Sequence, residues 1–420
     1  MLMKKNAVVS FKGQKNIDAV INLTGSKSES NRALIIAALS KGTVKAENLS
    51  DAADTVVLNK ILTGLSSPPT EERRLVNVGH AGTAMRFLTA FLSTLPEQFT
   101  LTGSARMQER PIGILVDALK MLGADISYEK NEGYPPLLIN GGLNAALSEV
   151  SIKGNVSSQY LSALLIIAPT LPAGLSLHIL GGLTSRPYLE MTLNMLSAAG
   201  VNHTWEGDTI RIEHQQYQSA ILTVEPDWSA ASYWYSITAL ADKANITLPH
   251  LKDESLQGDS EIQQIMSNLG VSTSRTANGI QLISTPDQPL TQVMNLKDCP
   301  DLAQTIIVCA AAKGLNLSFT GLETLKIKET NRVLALQNEL AKIGVTLNED
   351  NEVYTLNCDQ LNFPEKLTVS TYDDHRMAMA FAPLSLLIKT VEIEDYQVVE
   401  KSYPDFWKDL EKAGFTVEEI

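Results

Sequence analysis

The chain has 420 residues, 44% hydrophobic and 19% charged, which is core enough for two domains or more and excludes a disordered or collagen-like polymer. Its 34 Lys and Arg against 47 Asp and Glu give a formal net charge of −13, so no global basic field exists to hold nucleic acid or an anionic membrane, and any anion site is local. Three cysteines without CxxC spacing, a polar start lacking an apolar signal core, and apolar runs too short to span a bilayer predict a cytoplasmic protein.

In chain order, six nearly all-apolar segments each follow a small or polar cluster. They begin at Gly25, Gly79, Gly154, Pro226, Asp298 and Tyr372, in steps of 54, 75, 72, 72 and 74 residues. A segment apolar on every side reads as a buried helix, with Ser, Asp or Gly at its entrance capping the first N–H groups. Between them lie amphipathic helices that stop at Gly123, Gly200, Gly270, Gly344 and Gly414 before β-like stretches; glycine after the last periodic residue is the usual C-cap. The two series keep one step, which predicts a repeat of roughly 70 residues with two helices and several short strands. The first repeat is irregular: from Asp54 to Val78 it holds one short helix, Pro68-Pro69 and the charged stretch Glu71–Arg74, so strands are missing there. No Gly/Ser-rich linker marks a boundary, which predicts domains joined by direct chain crossings.

Familiar signatures fail. HExxH, GxSxG and GxGxxG are absent, the six histidines lack metal-ligand spacing, and Gly25-Ser26-Lys27-Ser28 lacks the glycines of a phosphate-binding P-loop. What remains is a set of cations in or beside the helix-entrance clusters: Lys27, Arg32, Arg86, Arg110, Lys328, Arg332, Arg376 and Lys401. Helix N-termini and guanidinium forks are two independent ways to hold phosphate or carboxylate. Two like charges 4 Å apart repel by about 4 kcal/mol at an effective dielectric of 20, so such a site stays open when empty and closes when anions arrive. Taken alone, any one of these cations reads as an ordinary solvated side chain.

The blocks Gly25-Ser26-Lys27-Ser28-x-Ser30-Asn31-Arg32, Gly79-x-Ala81-Gly82-Thr83-Ala84-Met85-Arg86, Glu109-Arg110-Pro111-Ile112-Gly113, Val156-Ser157-Ser158-Gln159-Tyr160, Ser185-Arg186-Pro187-Tyr188, Lys328-Glu329-Thr330-Asn331-Arg332, Asp374-His375-Arg376-Met377 and Lys401-Ser402-Tyr403-Pro404-Asp405 occur in this order. Together they resemble the signature blocks of the 5-enolpyruvylshikimate-3-phosphate synthase family, over the whole chain. The resemblance implies an α/β, two-domain enolpyruvyl transferase fold, an inside-out α/β barrel of six βαβαββ repeats, three per domain. It places one domain at residues 21–225 and the other at 1–20 plus 226–420, with the active site in the cleft between them. It implies transfer of the enolpyruvyl group of phosphoenolpyruvate to the 5-hydroxyl of shikimate 3-phosphate on the route to chorismate and the aromatic amino acids. It further implies no metal or organic cofactor, no nucleic-acid or membrane partner, and a monomer.

Matched block by block, the resemblance makes Lys27, Gly82, Arg110, Gln159, Arg332, Arg376 and Lys401 the phosphoenolpyruvate contacts. It makes Ser157, Ser158 and Ser185 the 3-phosphate contacts, and Ser28, Arg32, Gln159, Tyr188, Lys328, Asp301 and Lys27 the other acceptor contacts. Asp301 corresponds to the carboxylate at the 5-hydroxyl, Glu329 to the carboxylate at the methylene, and Lys27 is a third candidate for proton transfer. On their own, Asp301 reads as an N-cap and Glu329 as a first-turn acid facing a helix dipole. His375 is expected to pack or orient beside Arg376, Trp228, Trp234 and Trp407 to be core or domain-face residues, and Met377 and Met379 to lie in the core. The chain departs from the family at His80, where Asn is usual, at Phe87 where Pro is common, at Thr324 where many members have Asn, and in the shortened first repeat; sensitivity to glyphosate turns on the first two. The sister family that uses UDP-N-acetylglucosamine carries a loop cysteine, and none lies in Gly103–Gly113; an inactive anion-binding paralogue would not need Asp301 and Glu329.

Overall fold

The computed structural model describes residues 5–65, 72–143, 147–288 and 293–420. Each all-apolar segment forms a helix: Lys27–Leu39, Gly82–Thr94, Ser158–Ile167, Trp228–Leu240, Ala303–Ala312 and His375–Phe381. Such helices have no face suited to water, and every residue of Ala303–Ala312 and of His375–Phe381 is buried. Ser26, Ser157, Asp227 and Asp374 cap four of them through side-chain oxygens. Ala81 precedes the Gly82–Thr94 helix without a side-chain bond, and the turn Pro300–Leu302 leads into Ala303–Ala312.

The amphipathic series is Gly113–Met121, Arg186–Ala198, Ile262–Ser267, Arg332–Ala341 and Phe406–Lys412. The glycines that follow have φ of 94°, 81°, 86°, 75° and 95°, the left-handed conformation that ends a helix cheaply only without a Cβ.

The chain divides into two compact units, Gly25–Val224 and Met1–Thr24 with Glu225–Ile420. Every repeat contributes one parallel strand pair. Four pairs flank their buried helix directly: Arg74–Asn77 with Gln98–Thr102, Glu149–Lys153 with Leu175–Leu180, Val293–Asn295 with Leu317–Thr320, and Lys366–Val369 with Thr390–Ile393. In the other two the partner strand comes from across a chain crossing, Asn16–Val20 beside Lys243–Pro249 and Ala220–Thr223 beside Val44–Glu47. Antiparallel strands complete five four-stranded sheets. In the last of these, Ala7–Phe11 lies between Thr390–Ile393 and Phe415–Glu419, antiparallel to both.

Strands such as Asn16–Val20, Glu149–Lys153 and Val353–Asn357 alternate exposed and buried residues, so each of these sheets shows one face to water and lays the other on the helices. Helices inside and sheets outside invert the usual layering. The shortened repeat is visible as the lone two-stranded sheet among the described residues. Its helix, Ala53–Leu65, runs 13 residues, longer than the short segment expected, because Gly64 sits one position before its end and breaks nothing. Pro68, Pro69 and Glu71 lie outside the described residues. Among those described, no helix is long and apolar enough to cross a membrane.

Candidate active site

In the unit containing Glu225–Ile420, the N-terminal ends of two buried helices, His375–Phe381 and Ala303–Ala312, and of the amphipathic Arg332–Ala341 meet in one cluster. Asp374 caps His375–Phe381, and both its oxygens turn to Arg332, Oδ2 at 2.7 Å from Nε and Oδ1 at 3.4 Å from Nη2. Arg332 opens the Arg332–Ala341 helix, is 2% exposed, and also donates to Asp301 at 3.0 Å and Glu329 at 3.0 Å. One guanidinium therefore ties three carboxylates, the use for which its planar fork of donors is suited. Burial by itself pulls Arg332 down, but Asp374, Glu329 and Asp301 overcome it and hold the group above the usual arginine value.

Asp301, on the Pro300–Leu302 turn, gathers two further cations. Arg376 reaches its Oδ2 at 3.0 Å and its carbonyl oxygen at 2.9 Å, and Lys328 lies 3.6 Å from Oδ1. Burial pushes the Asp301 carboxyl up and Glu329 adds to that, yet Arg376, Lys328 and Arg332 prevail and hold it well below the ordinary range. Glu329 in turn accepts from Lys401 Nζ at 2.8 Å. Asp301, Lys328, Glu329, Arg332, Arg376 and Lys401, six residues singled out in the sequence, thus form one connected group.

The unit Gly25–Val224 carries the others. Gly82 begins its helix beside Arg110: a Cβ there would lie 2.5 Å from Nη1 of Arg110, so the absent side chain makes room for that guanidinium. Gln159 donates to Thr83 Oγ1 at 3.1 Å, which joins the starts of the Ser158–Ile167 and Gly82–Thr94 helices. Ser157 is the N-cap of the former and Ser158 its first residue. Ser185 sits at φ 56°, ψ 41°, a left-handed conformation unusual for serine, just ahead of Arg186-Pro187. Lys27 has Asp54 Oδ2 at 3.8 Å.

Arg32 is 2% exposed and is spent on the protein. It donates to Thr192 Oγ1 at 2.7 Å, Ser28 O at 2.9 Å, Ser162 Oγ at 3.0 Å and Tyr188 O at 3.3 Å, between the rings of Phe87 and Tyr188 at 5.4 and 5.7 Å. Burial pulls it down to about 10, against Tyr188 and Glu29. Its immediate work is to set Ser28 and Tyr188, and Phe87, one of the departures, is the lid on its guanidinium. Arg86 similarly donates to the carbonyls of Gly82 and Pro111, at 3.2 and 3.0 Å, and fixes the backbone on either side of Arg110. His80, another departure, has Nδ1 3.1 Å from Ser104 Oγ on the surface.

Trp228, Trp234, Met377, Met379 and His375 are buried, as expected, and Trp407 nearly so. Sequence reasoning passed over Asp374, Asp54, Ser229 and Asp259. Asp374 stood inside a quoted block, directly before a buried helix and two residues from Arg376, where an acid is suited to cap, and that was the signal available. Among the described residues no group of three or more His, Cys, Asp or Glu is placed to hold a metal, and the three cysteines are buried free thiols.

Helices inside single-faced sheets, repeated about two clusters of cations and carboxylates, define an enolpyruvyl transferase fold. Solved structures agree: the chain matches EPSP synthase from Acinetobacter baumannii with a TM-score of 0.77 at 20% identity, covering 99% of this chain and 100% of that one. It matches the enolpyruvyl transferase NikO from Streptomyces tendae at 0.71 and 15%, covering 99% of each. Residues 11–410 match the family EPSP synthase (3-phosphoshikimate 1-carboxyvinyltransferase), to which the chain belongs. The 3-phosphoshikimate 1-carboxyvinyltransferase of Bacteroides fragilis (strain YCH46) is 47% identical over 403 residues, 96% of each chain. That of Pseudoalteromonas atlantica is 35% identical, with 98% of this chain and all of the other aligned.

Proposed function

We propose that the protein transfers the enolpyruvyl group of phosphoenolpyruvate to the 5-hydroxyl of shikimate 3-phosphate and releases inorganic phosphate. Family membership and the 47% identical relative support the reaction. The observation that carries the residue assignment is the node at Arg332, where three carboxylates, Arg376, Lys328 and Lys401 are linked within hydrogen-bond or ion-pair distance.

In this reading Arg332, Arg376 and Lys401 take the donor's carboxylate and phosphate, and Lys27, Arg110, Gly82 and Gln159 are further donor contacts. Ser157, Ser158 and Ser185 take the 3-phosphate, while Ser28, Tyr188, Lys328 and Asp301 meet the ring hydroxyls and Arg32 sets their geometry. The methylene carbon gains a proton, the 5-hydroxyl oxygen bonds to the adjacent carbon and loses its own proton, and the resulting methyl gives up a proton as the C–O bond to phosphate breaks. Asp301 accepts at the hydroxyl; Glu329, paired with Lys401, and Lys27 serve the methylene end.

An Asp301 carboxyl held low by three cations is a weak base in the empty site. Donor anions arriving on Arg332 and Arg376 offset that positive field, which moves the carboxyl toward a range where it accepts a proton. Binding the donor and readying the base are then one electrostatic event.

The test is phosphate release from phosphoenolpyruvate with shikimate 3-phosphate or with UDP-N-acetylglucosamine as acceptor. Turnover with the former alone, and product of the enolpyruvyl ether's mass, is expected; turnover with the sugar nucleotide alone would move the chain to the sister activity, and none with either would end the proposal.

A further inference from the structure

Asp259 belongs to no block singled out in the sequence and has no role in the reaction as written, yet it is 3% exposed within the donor-binding cluster. It lies on the turn Gly258–Glu261. Its Oδ2 accepts from the hydroxyl of Ser229. That hydroxyl oxygen accepts from Arg376 Nη2 at 3.3 Å, and the same Nη2 reaches Asp301 Oδ2 at 3.0 Å. Ser229 is itself held by Asp227, whose Oδ1 accepts its N–H at 3.0 Å. Oδ1 of Asp259 has no hydrogen-bond partner among the described residues. A buried carboxylate with an unpaired oxygen costs stability, and Asn would leave an unpaired amide there without the charge, so packing alone does not call for an acid.

We propose that Asp259 is a positioning residue for Arg376, acting through the Ser229 hydroxyl, and that its proton makes donor binding pH-dependent. The inference rests on the assignment of Arg376 to the donor made above. An ionised Asp259 makes the Ser229 O–H point toward it and leaves the oxygen lone pairs to Arg376. A protonated Asp259 can donate to Ser229 instead, which frees Arg376 Nη2 to turn from that hydroxyl to the donor. The groups facing it are Asp301 and the Cys299 thiol beside the Pro300–Leu302 turn, Arg376 on His375–Phe381, and Asp227 at the head of Trp228–Leu240. Burial first, then Asp301 and Asp227, push its carboxyl up to about 7, against Arg376 and Ser229. A donor anion on Arg376 adds negative charge nearby and favours the protonated form, so by linkage the donor binds more tightly as pH falls through this region.

The experiment measures Michaelis constants for both substrates from about pH 6 to 8.5 in the wild type, Asp259→Asn, Ser229→Ala and Arg376→Lys, with thermal unfolding of each. The donor's own phosphate titrates identically in every protein and cancels in the ratio of constants. Expected is a rise of about fivefold, from pH 6 to 8, in the donor constant of wild type over Asp259→Asn, with the acceptor constant and kcat moving less. Ser229→Ala leaves the acid and its charge in place and removes only the hydroxyl between it and Arg376. A flattened donor profile is expected if the coupling runs through the relay, a profile kept as in wild type overturns the relay, and this variant decides the matter if Asp259→Asn does not fold. Unfolding gives a reading independent of substrates. A carboxyl raised in the native state keeps a proton that the unfolded chain has lost between about pH 4 and 7, so wild type loses stability relative to Asp259→Asn as pH rises across that window. Parallel donor profiles in wild type and both relay variants, with Arg376→Lys still raising the donor constant, would overturn the relay alone. An unchanged donor constant in Arg376→Lys would overturn the site assignment on which it stands.

Discussion

The two units solve the problem of burying arginine in opposite ways. Arg332 is surrounded by Asp301, Glu329 and Asp374, whereas Arg32, equally buried, is held by the neutral oxygens of Thr192, Ser162, Ser28 and Tyr188. In the first case three carboxylates take the hydrogen bonds; in the second neutral oxygens take them, with the buried Glu29 nearby. The first cluster therefore holds carboxylates that can move protons, while the second spends its guanidinium on setting Ser28 and Tyr188.

The sharpest way to break this contrast is to remove the acid that three cations share. Asp301→Ala is expected to lower kcat by roughly 100- to 10,000-fold in the phosphate-release assay, with retained secondary structure in circular dichroism; near-normal turnover would strip the cluster of its proton-transfer role. Next in size is stability. Arg332→Met strands the buried Asp374 carboxylate and takes one cation from Asp301 and Glu329, and is expected to cost about 3–5 kcal/mol, whereas Arg32→Met leaves neutral hydrogen-bond acceptors and costs about 1–3 kcal/mol. Denaturant titrations at neutral pH would show it, and equal losses would erase the distinction.

Acid sharpens the same comparison. Because Asp301 is held below its ordinary value, its contribution is fully present above about pH 4 and is lost as pH falls through the depressed native value, so wild type and Arg332→Met converge in acid while Arg32→Met does not. A smaller effect is expected at Gly82→Ala, where the new Cβ displaces the Arg110 guanidinium 2.5 Å away. The donor Michaelis constant should rise about tenfold with the acceptor constant little changed, since about 1.4 kcal/mol of one ion contact corresponds to that factor. Smallest is His80→Asn on the surface beside Ser104, which should alter the donor constant more than the acceptor constant in steady-state kinetics.

Much of this was legible in the sequence because it is local. All-round apolar character predicts a buried helix, and a glycine after an amphipathic stretch predicts its end; both signals sit within about 15 residues of their consequence. Strand partnership is not local: nothing in Val44–Glu47 announces Ala220–Thr223, so the shortened repeat was seen but its two-stranded sheet was not. The same holds for charge compensation. Lys328, Glu329 and Arg332 lie within five positions, but Arg332 meets Asp374 across 42 residues and Lys401 meets Glu329 across 72. Ser229 and Asp259 were invisible for that reason, since a serine in the first turn of a buried helix and an acid on a turn carry no sign of each other.

The placement of Ala7–Phe11 between Thr390–Ile393 and Phe415–Glu419 bears on how the protein is made. Residues Gly25–Val224 are contiguous and have all their partners once that stretch has left the ribosome. In the other unit Ala7–Phe11 is synthesised long before Thr390–Ile393 and Phe415–Glu419 and must stay unpaired until they exist, on the order of tens of seconds at about 5–20 residues per second. Its seal is therefore set by translation, and a strand made early is among the last to find its place.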